Sequence, residues 1–161
     1  MKRGSTYFLQ TIIVLIGLMS LFLLLRFPLY EGRNVNATIF EVYFQDPFLA
    51  YIYLSSVFVF VAYYQAFKLL AIIRSNTVFS VDGVKALRSI KYCAMALVGL
   101  LLGAELWLLF IVRLVEKDIA GGVMMGLVMI FITTVIAVAA GLFERMLEKA
   151  TDFKSENDLT V

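Results

Sequence analysis

The chain has 161 residues, 62% of them hydrophobic and only 16% charged. A soluble domain carries about 25% charged residues, so this composition does not suit water. A net charge of +2 gives no general basis for nucleic-acid binding, there is no histidine, and the single cysteine, Cys93, excludes an intramolecular disulfide and a Cys/His metal cluster. No cofactor is implied.

The first apolar run is Phe8–Leu25, behind Met1-Lys2-Arg3. It is too long for most signal peptides, and no small-x-small pattern follows it, so an uncleaved helix over about 8–25 is expected. In Arg26–Asp46, Pro28, Gly32 and Asn34 are expected to break the helix. Thr38–Phe44 has strand-like composition, and alternatively lies flat at the lipid headgroups. Asp46-Pro47 suits a helix start, and a second span is read over about 47–73, with its apolar run at Pro47–Phe67.

The middle segment, Arg74–Lys91, carries Lys85, Arg88 and Lys91 at three-residue spacing, beside Val81, Val84 and Leu87. It reads as a short amphipathic helix on an anionic membrane surface, or as ordinary topology-setting charge. Ser80 is placed to cap a helix that runs on into the third span, about 92–112. Only six residues, Arg113–Asp118, separate that span from the fourth, about 119–143, so the two must be antiparallel neighbours. The tail, 144–161, is expected to stay helical through Ala150 and to turn or unwind at Ser155–Asp158. Its net charge of −2 makes it a candidate contact for the basic middle segment, which is expected on the same side of the membrane.

About 20 apolar residues in a helix cross roughly 30 Å of hydrocarbon. The chain therefore reads as one all-α domain, a four-transmembrane-helix bundle in the lipid bilayer. With the N-terminus inside, the inner segments hold ten Lys and Arg residues and the outer segments four. That asymmetry places both termini in the cytoplasm.

Glu105 is the one charge within the four runs. An ionised acid at that depth costs about 2.5–3.5 kcal/mol on insertion scales, so partners are expected among Ser55, Ser56, Thr133, Thr134, Arg26 and Arg113. Gly99-x-x-x-Gly103 and Gly122-x-x-x-Gly126 are small-residue pairs that suit close helix packing, within one bundle or between copies in a homo-oligomer. Tyr51, Tyr53, Tyr63, Tyr64 and Tyr92 read as interfacial aromatics.

The tail reads Leu142-Phe143-Glu144-Arg145-Met146-Leu147-Glu148-Lys149-Ala150 and closes on Lys154-Ser155-Glu156-Asn157-Asp158-Leu159-Thr160-Val161. This ending, with Phe79-Ser80 before a basic helix, resembles a bacterial family of small integral membrane proteins known as domain of unknown function 2975. The resemblance implies a four-helix inner-membrane protein and supplies no activity or catalytic residues. It also implies a genomic neighbour, a helix-turn-helix regulator of the Cro/CI type.

No phosphate-binding loop, nucleophile elbow or pair of intramembrane carboxylates is present, so an enzyme is not expected. The reading is a regulatory or immunity protein with a partner, either a cytoplasmic regulator or a membrane-active peptide. Lys85, Arg88, Lys91, Glu156, Asp158, Leu159 and Val161 are the candidate contacts to partner or lipid. The alternative is a small proton-coupled carrier using Glu105.

Overall fold

The computed structural model describes residues 3–30, 38, 40–41, 47–75, 77–110 and 119–158. They form four helices: α1 (Arg3–Tyr30), α2 (Pro47–Arg74), α3 (Val81–Phe110) and α4 (Ala120–Asp158). No strand occurs among the described residues. All four helices are long and apolar enough to cross a membrane. Most of their large apolar side chains point outward, from Leu15 on α1 to Phe131 on α4. An outward apolar surface on every helix is stable in hydrocarbon and not in water.

The helices pack in chain order, α1 on α2, α2 on α3, and α3 on α4. Each pair is antiparallel. Gln10 meets Phe67, Tyr51 meets Leu100, and Arg88 meets Glu144. The start of α1 and the end of α4 therefore lie at one end of the molecule.

Four local expectations are corrected. Helix α1 does not stop at Pro28 but continues to Tyr30. Proline has no N–H for the carbonyl four residues back, here Leu24. The Tyr53 hydroxyl of α2 donates to that carbonyl instead, at 3.3 Å. A neighbouring helix thus satisfies the group that proline leaves open.

Phe40 and Glu41 are helical, not extended. The Thr38 N–H and hydroxyl both donate to Glu41 Oε2 at 2.8 Å, and the Glu41 N–H points back to Thr38 Oγ1 at 3.4 Å. This reciprocal arrangement is a capping box, a stronger local signal than the β-branched neighbours. The two donors also hold the Glu41 carboxyl below the usual range, the backbone N–H contributing most. Residues 39 and 42–46 lie outside the described residues.

The helix expected to start after Ser80 and run on into the third span is present, but its basic face packs on α4 through Arg88 and Lys91 and is not simply a membrane-surface face. Ser80 accepts from Gly83 and Val84, and α3 runs unbroken from Val81 through the span. Finally, α4 does not unwind at Ser155. The Ser155 hydroxyl turns back onto the Asp152 carbonyl at 2.8 Å, and the helix continues to Asp158.

These extensions matter. At 1.5 Å per residue, α3 is about 45 Å long and α4 about 58 Å, against about 30 Å of hydrocarbon. Beyond the apolar runs, residues 81–91 of α3 and 144–158 of α4 project together as an antiparallel pair at the end where α1 starts and α4 ends.

Candidate functional site

The projecting pair is built around Glu144. This carboxylate is 4% exposed, although it stands just past the apolar run. Arg88 Nε donates to its Oε1 at 2.6 Å, and Lys91 Nζ lies 2.5 Å from its Oε2. Arg88 Nη2 also reaches Glu148 at 3.0 Å. The Lys91 stem passes over Gly141, where a Cβ would lie 3.3 Å from its Cδ. Its ammonium sits over the Tyr92 ring, 4.8 Å from the centroid. Two of the three basic residues singled out in the sequence therefore hold α3 to α4. Lys85 is exposed and lines a small polar cleft with Arg88, Glu148 and Asp152.

Beside this cluster lies an apolar groove of about 450 Å³. Leu69 and Ile73 of α2, Val78 and Phe79 of the connection, Leu87 of α3, and Met146 and Leu147 of α4 line it. Gly83 makes the corner tight. A side chain there would start 2.6 Å from the Val78 carbonyl oxygen and 3.1 Å from Leu147 Cδ2. Glycine is what lets the connection close onto α3 and α4. Met146 and Phe79 are more than half exposed, and Phe153, farther out on the projection, is 71% exposed.

Glu105 lies elsewhere, within the α3–α4 interface. Its Oε1 fills the space that a side chain on Gly126 would occupy. Its Oε2 is buried without a hydrogen-bond partner. The expected partners do not reach it. Ser55 donates to Tyr51 O, Ser56 to Tyr53 O, Thr133 to Met129 O and Thr134 to Ile130 O, all on their own helices. Hydroxyls in apolar helices satisfy themselves on the carbonyl three or four residues back, and nothing draws them across. Arg26 sits over the Phe22 ring at 5.6 Å, and Arg113 lies outside the described residues.

The small-residue pairs divide. Gly122 receives Leu108, Gly126 receives Glu105, and Gly103 leaves room for the Tyr51 hydroxyl, which donates to Leu100 O at 2.6 Å. Gly99 is exposed, with nothing within 4 Å of a would-be side chain, so it packs no helix here. Tyr51, Tyr53 and Tyr63 join helices rather than only marking an interface: Tyr63 shares a hydrogen bond with Ser20 of α1 at 3.3 Å. Of the tail candidates, Glu156 is exposed and Asp158 closes α4, while Leu159 and Val161 lie outside the described residues.

A third cluster was not singled out in the sequence. Gln10 of α1 is buried; its Nε2 donates to Phe67 O at 3.3 Å and its Oε1 accepts from Arg74 Nη1 at 3.2 Å. The Arg74 guanidinium lies over the Tyr7 ring at 4.6 Å. Thr6, one turn before Gln10, is 1% exposed, and its hydroxyl has no partner. A lone amide inside the first apolar run was the available signal.

The family model described as a protein of unknown function (DUF2975) matches residues 12–161. The chain is also 39% identical over 163 residues to an uncharacterized membrane protein, YoaS, of Bacillus subtilis (strain 168), covering 100% of both chains. No solved structure matches the chain. A match over nearly the whole length, through all four helices and the projecting pair, establishes that this multi-pass membrane protein belongs to the DUF2975 family.

Proposed function

We propose that the protein is a non-enzymatic regulatory or immunity protein of the bacterial inner membrane, with both termini in the cytoplasm, and that it works by holding a partner at its projecting end. The excess of basic residues at that end supports the orientation. The observation that carries the reading is the apolar groove between α2, the connection and α4. The exposed Met146, with the buried Leu147 next to it, lies past the end of the apolar run, on a helix extension the bilayer core does not need. Exposed apolar residues outside the core mark a contact surface. The occupant we commit to is the apolar face of an amphipathic helix from a cytoplasmic protein, which suits an apolar groove walled in part by a helix segment that also carries charges of both signs, Arg145, Glu148, Lys149 and Asp152. A helix-turn-helix regulator has helices of this kind.

A photo-crosslinking amino acid at Met146 tests this in cells. The expected result is a discrete protein adduct that disappears when Phe79→Glu charges the groove and persists when the outward-facing Leu127 is changed to Ala. Adducts to lipid alone, or a protein adduct indifferent to Phe79→Glu, would overturn the reading. Deleting Ser155–Val161 tests the tail separately, with loss of the adduct and unchanged insertion as the expected result.

One observation favours a second reading, a small proton-coupled carrier: the unpartnered Oε2 of Glu105. The four hydroxyls that would extend a polar path from it are bonded back to their own helices. Proton-driven flux in vesicles that is lost in Glu105→Gln would support the carrier; its absence in both proteins would exclude it.

A further inference from the structure

The α4 wall of the groove does not end with the groove. Phe143, Met146 and Ala150 line it, and Phe153 stands three residues further along the same helix. Successive spacings of three, four and three are those of a coiled-coil seam, positions a, d, a and d. Phe143, Met146 and Phe153 are exposed, and Ala150 is half-buried. From Phe143 to Phe153 the stripe runs about 15 Å at 1.5 Å per residue. A stripe with this period suits a helix lying alongside α4, and Phe153 carries the surface about one turn past the groove.

The charged flanks of the stripe have one sign. In the same register Lys149 is a g position and Lys154 an e position. Both are exposed, and neither makes an ion pair among the described residues. The other two flanking residues, Leu142 and Leu147, are uncharged. The acids Glu144, Glu148 and Asp152 recur every four residues and turn toward α3 instead. Glu144 meets Arg88 and Lys91, Glu148 meets Arg88, and Asp152 lines the polar cleft with Lys85.

Charges at e and g decide which helix can pair along a seam. Two copies of this chain enter the bilayer the same way round, so their α4 helices would run parallel. A parallel pair sets a g residue against the e residue of the next heptad on the other helix. Here that is Lys149 against Lys154 of the second copy, and the like charges repel. A DNA-contacting helix, rich in Lys and Arg, has the wrong sign for the same reason. A helix with acids at its own flanking positions meets a lysine on either side.

We propose that the stripe from Phe143 to Phe153 takes an acidic amphipathic helix of a cytoplasmic protein, and that Lys149 and Lys154 select it by charge. This selection rests on the groove being a docking site, and it adds the sign of the partner and the length of the contact.

The test uses the full chain in nanodiscs of phosphatidylcholine, which adds no net charge, with empty discs as the blank. The probes are two fluorescent peptides of about three heptads, with leucine at every a and d position. One carries glutamate at every e and g position and the other lysine. Saturable binding of the glutamate peptide, at least about tenfold tighter than the lysine peptide, is expected. Lys149→Glu with Lys154→Glu should reverse the preference. Both positions are exposed, so the double variant changes charge without opening the core. Phe153→Ala should weaken the glutamate peptide several-fold. Equal binding of the two peptides, or a preference that the double reversal leaves intact, overturns the selection by charge while the groove stands as a docking site. Binding of neither peptide overturns both. An intermolecular disulfide formed by Phe153→Cys in a Cys93→Ala background would place a second copy on the stripe and overturn the proposal as well.

Discussion

Replacing Glu144 by glutamine removes the charge at the centre of the projecting pair while keeping its shape. Hydrogen bonds to charged groups contribute about 1.5–3 kcal/mol each, so the Arg88 and Lys91 contacts set an upper bound of about 3–6 kcal/mol. The exposures of the partners reduce it. The Arg88 side chain is 44% exposed and retains Glu148, so water and that second acid offset most of its loss. The Lys91 side chain is 25% exposed, and its stem is confined between Gly141 and the Tyr92 ring, so its ammonium recovers less solvation. The expected destabilisation is about 2–3 kcal/mol for Glu144→Gln, below the 3–5 kcal/mol of a fully buried pair. Glu148→Gln, acting on an exposed acid, should cost under about 1 kcal/mol. Reversible unfolding in mixed micelles, followed by circular dichroism, measures both. A double-mutant cycle of Glu144→Gln with Lys91→Met, which retains the stem, should give a coupling of about 1–2 kcal/mol. A coupling near zero, or a cost for Glu148→Gln equal to that for Glu144→Gln, would refute the assignment of the buried acid as the centre of this interface.

Gly126→Ala should destabilise by about 1–2 kcal/mol in the same assay, because a methyl group displaces the Glu105 carboxylate, and Glu105→Ala in that background should recover most of the loss. Gly83→Ala should cost more, about 2–3 kcal/mol, with no single side-chain rescue, since its nearest obstacle is the Val78 backbone oxygen. Tyr53→Phe should cost about 1 kcal/mol by leaving Leu24 O unpaired, and Pro28→Ala should restore the loss by returning the backbone donor; an equal cost with and without Pro28 would count against that account.

The spans were legible because hydrocarbon imposes one demand, a long apolar helix, and the runs meet it on composition alone. The ends were less so. A proline inside α1 was rescued by a tyrosine on another helix, and the tail serine bonded to its own backbone, neither of which appears in a window of hydropathy. The partners of Glu105 were misread for a related reason: four hydroxyls stood at suitable depths, but their local carbonyls were nearer than any cross-helix group.

More of the α3–α4 interface was available than composition suggested. In a tight antiparallel pair, residues equidistant from the centre of the connection face each other. The centre of Arg113–Asp118 lies between Val115 and Glu116, and the mirror position of Glu105 is then Gly126. Arg88, Lys91 and Gly83 fall within one residue of the mirrors of Glu144, Gly141 and Leu147, the contacts observed. The same rule places Tyr51 of α2 within one residue of the mirror of Gly103 on α3, provided the connection is taken as the short segment between Arg74 and Val81. Reading that segment as extending to Lys91 hid the relation. The rule also reaches α1 and α2: about the centre of the segment between Tyr30 and Pro47, Gln10 mirrors Phe67 and Leu24 mirrors Tyr53, the contacts observed, and Ser20–Tyr63 departs from that register. The physical content is that an antiparallel connection transfers register from sequence to structure, and side chains such as Gln10, Tyr53 and Arg74 fasten α1 to α2 within it. Those polar groups within or bordering apolar runs are therefore where α1 is positioned, and where substitutions should shift its packing against α2 without disturbing the α3–α4 pair.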